Sequence, residues 1–272
     1  MSNIVIVGAD QGIGYYLAQS LLEAGNKVAV MDIRTEHIER LKGTYPDTLM
    51  VLHGDATNEA SIVEGVKKAH ESFGSIDIAI HNACLCTFES EPDSGIEIYQ
   101  KVMDVNYYGA LRLAKAALPF MREAKGGRLI FTSSGVGVTG FENISPYASS
   151  KGAIEALAKC LEIENSKYGI SVHLFHPPLT NTESASGLPI PKEFKADPQK
   201  VGQGLAKHIN SKKFVICPNA SQTLSMFLCY RHPLRFGKML AKATERAKEA
   251  MKQQSGENKW DRSDPIWGNH FY

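Results

Sequence analysis

The sequence predicts one α/β domain built on a doubly wound, parallel, seven-stranded sheet with helices on both faces, followed by a C-terminal helical extension. The length of 272 residues suits a single domain of this class. Seven short runs rich in Val, Ile and Leu alternate with longer stretches of helical pattern. Those runs are almost continuously apolar, as strands buried on both faces should be.

The elements follow in chain order. The predicted strands are 4–7, 27–32, 48–53, 76–81, 128–133, 170–176 and 214–217. The predicted helices are 12–25, 36–42, 58–73, 95–123, 146–168 and 199–210. Regular alternation of strand and helix favours right-handed βαβ units, which assemble into a parallel sheet covered on both sides.

Two segments depart from this alternation. The Pro-rich segment 183–198 follows the sixth strand and is typical of a long connection or flap. Residues 221–272 follow the last strand, so the chain divides into a domain at 1–220 and an extension at 221–272. Within the extension, residues 231–252 hold seven Lys and Arg against two Glu, in the pattern of a basic amphipathic helix.

Composition excludes several classes of function. Thirty Lys and Arg against 29 Asp and Glu give a net charge of +1, which does not favour nucleic-acid binding. No apolar run reaches the ~18 residues of a membrane span, and the N-terminus lacks the pattern of a secretory signal. Five cysteines without a C-x-x-C pair predict reduced thiols in a cytoplasmic protein and no metal site.

A glycine loop follows the first strand and opens the first helix. Gly8, Gly12 and Gly14 are spaced G-x-x-x-G-x-G, which differs from the common G-x-G-x-x-G fingerprint. Such a loop lets backbone N–H groups approach a pyrophosphate at a helix N-terminus, as in a Rossmann-like dinucleotide site. Asp32 ends the second strand, where an acid can bind the ribose 2′-hydroxyl. It would repel the 2′-phosphate of NADP, so NAD is favoured, although Arg34 could partly offset this repulsion.

More marks lie along the chain. They are Asp55 in GDAT, FGSID at 73–77, His81-Asn82-Ala83-Cys84, Asn106 in DVNYYG, the Ser133-Ser134 pair, Tyr147-x-x-x-Lys151 and His176-Pro177-Pro178. Together with the glycine loop, they resemble the compact single-domain subgroup of the short-chain dehydrogenase/reductase family over residues 3 to about 217. Cys84 and Pro178 each stand at a position where that family usually has glycine.

The resemblance implies roles for particular residues. Asn106, Ser134, Tyr147 and Lys151 match the family's catalytic tetrad, and Asp55, Asn82 and Thr182 match residues at the cofactor. The implied cofactor-binding set is Gly8, Gln11, Gly12, Ile13, Gly14, Asp32, Asp55, Ala56, Asn82, Ala83, Tyr147, Lys151, Pro177, Leu179 and Thr182.

The tetrad residues suit acid–base chemistry. Ser145 and Pro146 predict a helix start, which places Tyr147 and Lys151 four residues apart on one helix face. A free tyrosine has a pKa of about 10, and a neighbouring ammonium with the positive nicotinamide ring would lower it. Tyr147 could then exchange a proton with a substrate oxygen that Ser134 orients, while Asn106 positions a water that relays protons from Lys151.

The sequence therefore predicts an oxidoreductase that transfers a hydride between NAD(H) and a secondary alcohol or ketone. The alternative is a catalytically silent dinucleotide-binding regulator or scaffold, against which the intact tetrad argues. Expected pocket segments are 85–91, 135–142 and the flap at 183–198, which offer both apolar and acidic side chains. The resemblance and small residues on the 146–168 helix (Ala148, Gly152, Ala156 and Ala158) imply a homodimer or homotetramer.

The extension carries an apolar stripe at helical spacing, formed by Phe236, Met239, Leu240, Ala243, Ala247 and Ala250. Half of the stripe is alanine, which buries little area, so we expect docking on the protein itself or on a neighbouring subunit rather than on a membrane. The tail beyond it contains Trp260, Trp267, Phe271 and Tyr272, and we expect those rings to be buried.

Overall fold

A computed structural model describes residues 1–188, 190 and 192–255. In this part of the chain a seven-stranded parallel sheet has the order β3-β2-β1-β4-β5-β6-β7. The strands are β1 (Asn3–Val7), β2 (Lys27–Asp32), β3 (Leu49–His53), β4 (Ile78–His81), β5 (Gly127–Thr132), β6 (Ile170–Phe175) and β7 (Val215–Ile216). The predicted strands are confirmed, each within two residues at either end.

The helices are α1 (Gly12–Glu23), α2 (Glu59–Phe73), α3 (Ile96–Met103), α4 (Gly109–Glu123), α5 (Val136–Thr139), α6 (Ser145–Asn165), α7 (Pro198–Lys207), α8 (Ala220–Arg231) and α9 (Pro233–Ser255). Among the described residues, no helix is both long and apolar enough to cross a membrane.

Helices cover both faces of the sheet, as the apolar strands predict. Along β1, Val5 and Val7 pack into the core on one face, whereas Ile4 and Ile6 pack into the core on the other. Since successive side chains of a strand point to opposite faces, a strand between two helical layers must be apolar throughout.

Strand order reverses between β1 and β4, which is the switch point of the doubly wound sheet. In a parallel sheet the carboxyl ends of all strands lie at one edge, and a crevice opens at this reversal. The glycine loop after β1, the segment after β4 and the serines after β5 therefore meet in one place.

Three local expectations were wrong. The helix expected over 95–123 contains a π-helical turn at Asp104–Tyr108 between α3 and α4. The segment expected at 36–42 is a 3₁₀ helix at Ile38–Gly43. Ser145 does not cap α6, because it is the first helical residue and its hydroxyl lies 2.6 Å from the Tyr99 hydroxyl.

The extension begins with two helices. Phe236 of α9 packs against a small buried cluster of Cys217, Met226 and Cys229, and Gly237 lies so close to α5 that an added methyl would sit 2.7 Å from the Thr139 carbonyl oxygen. Farther along the stripe, Met239 and Leu240 are exposed on this chain, so for these two residues docking on a neighbouring subunit stays a prediction. The expectation for the four aromatic residues of the tail falls outside the described residues.

Candidate active site

The loop between β1 and α1 is rich in glycine, and its backbone packs closely against the end of β4. Gly8 has a positive φ of 86°, and a methyl there would lie 2.4 Å from the Ala83 Cα. A methyl on Gly14 would lie 2.2 Å from the Gly8 carbonyl oxygen. The side chain of Thr182 faces Gly12 from the far side, 3.1 Å from where a methyl would sit. This cradle at the start of α1 has the form of a site for a phosphate group.

Asn82 holds the loop in place. Its side-chain nitrogen donates to the Gly8 carbonyl oxygen at 2.7 Å, and its side-chain oxygen accepts from the Thr132 hydroxyl at 3.0 Å. The Val7 carbonyl oxygen accepts from the backbone N–H groups of Asn82 and Ala83. Asn82 thus joins the glycine loop to the ends of β4 and β5.

Acidic groups surround the end of β2. The Asp32 carboxylate accepts from the backbone N–H groups of Asp10, at 2.9 Å, and of Arg34, at 3.2 Å. The Arg34 guanidinium lies 3.2 Å from a carboxylate oxygen of Glu183, which also accepts from the side chain of Gln11. Arg34 is thus engaged with an acid of the flap.

Sequence reasoning overlooked Asp10. The Asp10 carboxylate is buried and accepts from the backbone N–H groups of His37 and Ile38, at 2.8 and 2.9 Å, and from the His37 ring. Although burial alone would raise the pKa of Asp10, these partners together hold it below its ordinary value. Asp10 therefore fixes the turn after β2 to the glycine loop.

The other residues of the implied cofactor set line the same edge. Asp55 accepts from the backbone N–H of Thr57 at 2.8 Å, and the Ala56 carbonyl accepts from Arg112 at 3.0 Å. After β6, the Pro177 carbonyl accepts from the Gln222 side chain of α8. The Leu179 carbonyl accepts from the backbone N–H of Ala196 at 2.7 Å, which closes the flap on itself.

Three members of the tetrad meet at the ends of β5 and α6. Ser134 lies close enough to Tyr147 to act on its phenol and lower the phenol's pKa. Lys151 lies one helical turn beyond Tyr147, with its ammonium nitrogen 5.6 Å from the centre of the tyrosine ring. Lys151 is only 1% exposed, and its ammonium donates to the Thr132 carbonyl oxygen at 2.8 Å.

Asn106, the fourth member, sits in the π-helical turn. Its side-chain oxygen accepts from the Leu85 N–H at 2.8 Å, and its side-chain nitrogen donates to the Leu85 carbonyl at 2.9 Å. The same nitrogen donates to the Ser150 hydroxyl at 2.9 Å. Asn106 therefore links the catalytic helix α6 to the segment after β4, and π-helical turns often occur at functional sites.

The pKa of Tyr147 differs from the expectation. Burial is the main cause of a pKa well above the ordinary value, and the neighbouring Cys84 and Cys86 thiols raise the pKa further, whereas Ser134 acts in the opposite direction. Desolvation therefore favours the protonated phenol, which is the acid form of Tyr147.

A buried polar cluster lies behind the tetrad. Glu155, which is 5% exposed, follows Lys151 by one turn of α6. Its carboxylate accepts from the Ser133 hydroxyl at 2.5 Å and from the Tyr230 hydroxyl at 2.6 Å, and it lies 2.9 Å from the His176 Nε2. These hydrogen bonds lower the pKa of Glu155, although burial opposes them. We call these four residues the Glu155 cluster.

Sequence reasoning missed this cluster. The available signal was the spacing of Tyr147, Lys151 and Glu155 at intervals of four, which puts a carboxylate on the inner face of a helix. The partner from α8, Tyr230, had no signal, because its contact joins residues 75 positions apart.

The flap at 183–198 approaches the segment after β4, and both are among the segments expected to line a substrate pocket. A methyl on Gly187 would lie 3.0 Å from the Phe88 ring. Lys195 donates to the Ala185 carbonyl at 2.8 Å and holds the flap together. Among the described residues, no three His, Cys, Asp or Glu side chains converge as a metal site would require.

A doubly wound sheet with a bare glycine loop and a polar cluster at its switch point defines a dinucleotide-binding α/β protein. Comparison with known proteins narrows this class. The family model described as short chain dehydrogenase matches residues 2–190. The chain belongs to the short-chain dehydrogenase family, a family of oxidoreductases.

Curated relatives agree with this assignment. An uncharacterized oxidoreductase of Staphylococcus aureus (strain USA300) is 29% identical over 224 residues, which cover 79% of this chain and 96% of that protein. An uncharacterized oxidoreductase of Thermotoga maritima is 30% identical over 214 residues, which cover 77% and 83%.

Solved structures share the fold. A short-chain dehydrogenase from Streptomyces avermitilis has a TM-score of 0.74 at 21% identity and covers 95% of this chain and 99% of its own. One from Burkholderia cenocepacia J2315, in complex with NADP, has a TM-score of 0.72 at 22% identity and covers 84% and 93%.

Proposed function

We propose that this protein transfers a hydride between NAD(H) and a secondary alcohol or ketone, with Tyr147 as the general acid and base. The observation that carries this proposal is the convergence of Ser134, Tyr147 and the buried Lys151 at the switch point, next to the glycine loop. When bound, the nicotinamide cofactor supplies hydride chemistry. The chain supplies binding, orientation and proton transfer.

Each residue of the tetrad has a separable task. In ketone reduction the Tyr147 phenol donates its proton to the substrate oxygen, and the Ser134 hydroxyl donates a second hydrogen bond that orients this oxygen. The Lys151 ammonium stabilises the phenolate that is left, and the Thr132 carbonyl fixes that ammonium. Asn106 holds the segment after β4 against α6 and so keeps the site assembled.

The glycine loop fits a dinucleotide. Side chains on Gly8 or Gly14 would collide with the chain's own backbone, so glycine at these positions lets the loop pack tightly between β1, β4 and α1. In that position the loop would present the N–H groups at the start of α1 to a pyrophosphate. Asp32 would accept from the ribose 2′-hydroxyl, and Thr182 would cover the loop from the flap side.

We expect NAD(H) to bind more tightly than NADP(H). A 2′-phosphate would meet Asp32 and Glu183, and Arg34 is already paired with Glu183. Repulsion between unit charges ~4 Å apart at an effective dielectric of ~20 is about 4 kcal/mol, so even a screened fraction would favour NAD(H) tenfold or more. Fluorescence titration with both cofactors measures the ratio.

Asp32→Ser tests the cause of that preference, and Asp47→Ser, at an exposed site before β3 at the opposite edge of the sheet, is the control. Asp32→Ser should reduce the preference for NAD(H) over NADP(H), and Asp47→Ser should leave that preference unchanged. Tighter binding of NADP(H) than of NAD(H) by the unaltered protein would contradict the proposed cofactor preference. The test matters because one solved neighbour is in complex with NADP.

A turnover screen tests the proposed activity itself. Alcohols and ketones of several ring sizes and chain lengths are offered with NAD(H), and nicotinamide absorbance is followed. Phe88 and the flap provide an apolar wall, whereas the nearby Glu89 and Glu91 provide acceptors, so hydroxylated rings belong in the screen beside acyl compounds. Tight NAD(H) binding without turnover of any compound would favour the silent regulator.

We also expect a homodimer or homotetramer, although the small residues of α6 support it less than the sequence suggested. Ala158 lies in the chain's own core, and Gly152 faces Gly137 of α5. Ile163 is instead 76% exposed on α6, and a helix interface would cover it. Ile163→Glu should lower the mass measured by light scattering at micromolar concentration, and Lys159→Glu, at an exposed position on the same helix, should change it less. A monomer before any substitution would refute the expectation.

A further inference from the structure

Two cysteines lie at the candidate active site without a role in the proposed chemistry. Cys84 and Cys86 are half-buried in the segment after β4, on either side of Leu85, and each thiol lies close enough to shift the pKa of the other. Cys84 also lies close to Tyr147. Of the other cysteines, Cys160 is exposed and Cys217 is buried, as is Cys229.

Asn106 holds the two thiols on one side of the chain. Leu85, the residue between them, gives both its N–H and its carbonyl to the Asn106 side chain. An extended residue presents these two groups in one direction, as in a hydrogen-bonded antiparallel pair. Side chains alternate along extended backbone, so the neighbours of Leu85 project together from the same face.

We propose that Cys84 and Cys86 are an oxidation site, where a hydroperoxide converts the two thiols into a disulfide that releases Leu85 from Asn106. The thiol chemistry is independent of the proposed function, whereas its effect on turnover rests on that function.

The two steps balance. The Cys84 thiolate attacks one oxygen of the hydroperoxide, so an S–O bond forms and the O–O bond breaks, and the departing alkoxide or hydroxide takes up a proton. Cys86 then attacks the Cys84 sulfur, so the S–S bond forms and the S–O bond breaks. The leaving hydroxide combines with the Cys86 proton to give water. The two thiols lose two electrons and the hydroperoxide gains them.

The local electrostatics assign the order of the steps. The neighbouring Cys86 thiol lowers the pKa of Cys84, and the nearby Lys151 ammonium acts in the same direction, although burial opposes both. The neighbouring Cys84 thiol and burial raise the pKa of Cys86. Cys84 is therefore the attacking thiolate, and Cys86 resolves the sulfenic acid.

Distance explains why the disulfide would affect Asn106. Two residues of extended chain span about 6.6–6.8 Å between Cα atoms, whereas disulfides bridge about 4.4–6.8 Å and prefer about 5.5–6 Å. The preferred separation is thus shorter than the extended span, so we expect the chain to fold at Leu85 as the bridge closes, which turns the Leu85 N–H and carbonyl away from the Asn106 side chain. The tetrad would lose the link between α6 and the segment after β4.

Mass spectrometry and hydrogen exchange test the proposal. A Cys160→Ser background removes the exposed thiol. Treatment with hydrogen peroxide should lower the mass by 2 Da and remove two of the four remaining thiols, with the cross-link mapped to Cys84 and Cys86. The Leu85 amide should then exchange at least tenfold faster, and dithiothreitol should reverse both changes.

Single variants separate the two thiols. Added Cys86→Ser should stop the reaction at a Cys84 sulfenic acid that dimedone traps, and added Cys84→Ser should leave Cys86 unmodified under the same treatment. No mass loss of 2 Da, or a cross-link elsewhere, would overturn the oxidation site. Disulfide formation with unchanged exchange at Leu85 would overturn its coupling to Asn106. Loss of turnover on any substrate found by the screen is a separate readout, so failure of the proposed activity leaves these results interpretable.

Discussion

Tyr147→Phe should reduce turnover by about 10²–10⁴-fold on any substrate that the screen identifies, because it removes the group that exchanges the proton and little else. The ring stays, so its packing against Lys151 should persist. NAD(H) affinity should change by less than threefold, since the glycine loop and Asp32 are untouched. Steady-state kinetics and fluorescence titration measure the two effects separately.

Tyr168→Phe is the matched control. Tyr168 is partly exposed at the end of the 3₁₀ turn that follows α6, so its hydroxyl should not influence turnover. Equal rates for Tyr147→Phe and the unaltered protein would refute the acid–base assignment. A loss of NAD(H) binding in step with turnover would instead place Tyr147 in cofactor binding.

The fold could be predicted because its determinants are local. Every strand of a sheet buried on both faces is a short apolar run, and the glycine loop follows the first of them. The family marks also placed Ser134, Tyr147 and Lys151 together, and the structure brings them to one edge of the sheet.

What the sequence did not reveal depends on contacts between distant residues. The family resemblance singled out Asn106, but only the π-helical turn shows that its side chain binds Leu85. The raised pKa of Tyr147 depends on how much water the folded chain removes, which no spacing encodes. Among the four small residues of α6, only packing shows that Ala158 faces the chain's own core.

The Glu155 cluster is the clearest example, because four separate segments supply it. Ser133 precedes Ser134, Glu155 follows Lys151 by one helical turn, His176 follows β6, and Tyr230 belongs to α8. The cluster thereby fastens the extension to the backbone that positions Ser134 and Lys151. The extension is therefore part of the architecture around the site, not a separate appendage.

Glu155→Ala should destabilise the fold by about 3–5 kcal/mol, because the loss of a buried charge leaves its hydrogen-bonding partners unmatched. At roughly 2–4 °C per kcal/mol for a chain of this size, the expected fall in Tm is roughly 6–20 °C. Tyr230→Phe removes a single hydrogen bond to the carboxylate and should cost less, about 1.5–3 kcal/mol. Thermal unfolding, monitored by circular dichroism, measures the Tm of each variant and shows which substitution costs more.

Two further measurements make that prediction specific. Glu164→Ala, at an exposed position on the same helix, should shift the free energy of unfolding by less than about 0.5 kcal/mol. The pKa of Glu155 is lowered in the fold, so its contribution to stability is complete above the carboxyl's unfolded pKa and is lost as pH falls through the lower folded value. The gap between the unaltered protein and Glu155→Ala should therefore narrow as pH is lowered below about 4.5. Equal Tm values for Glu155→Ala and Glu164→Ala at neutral pH would show that the cluster does not hold the site together.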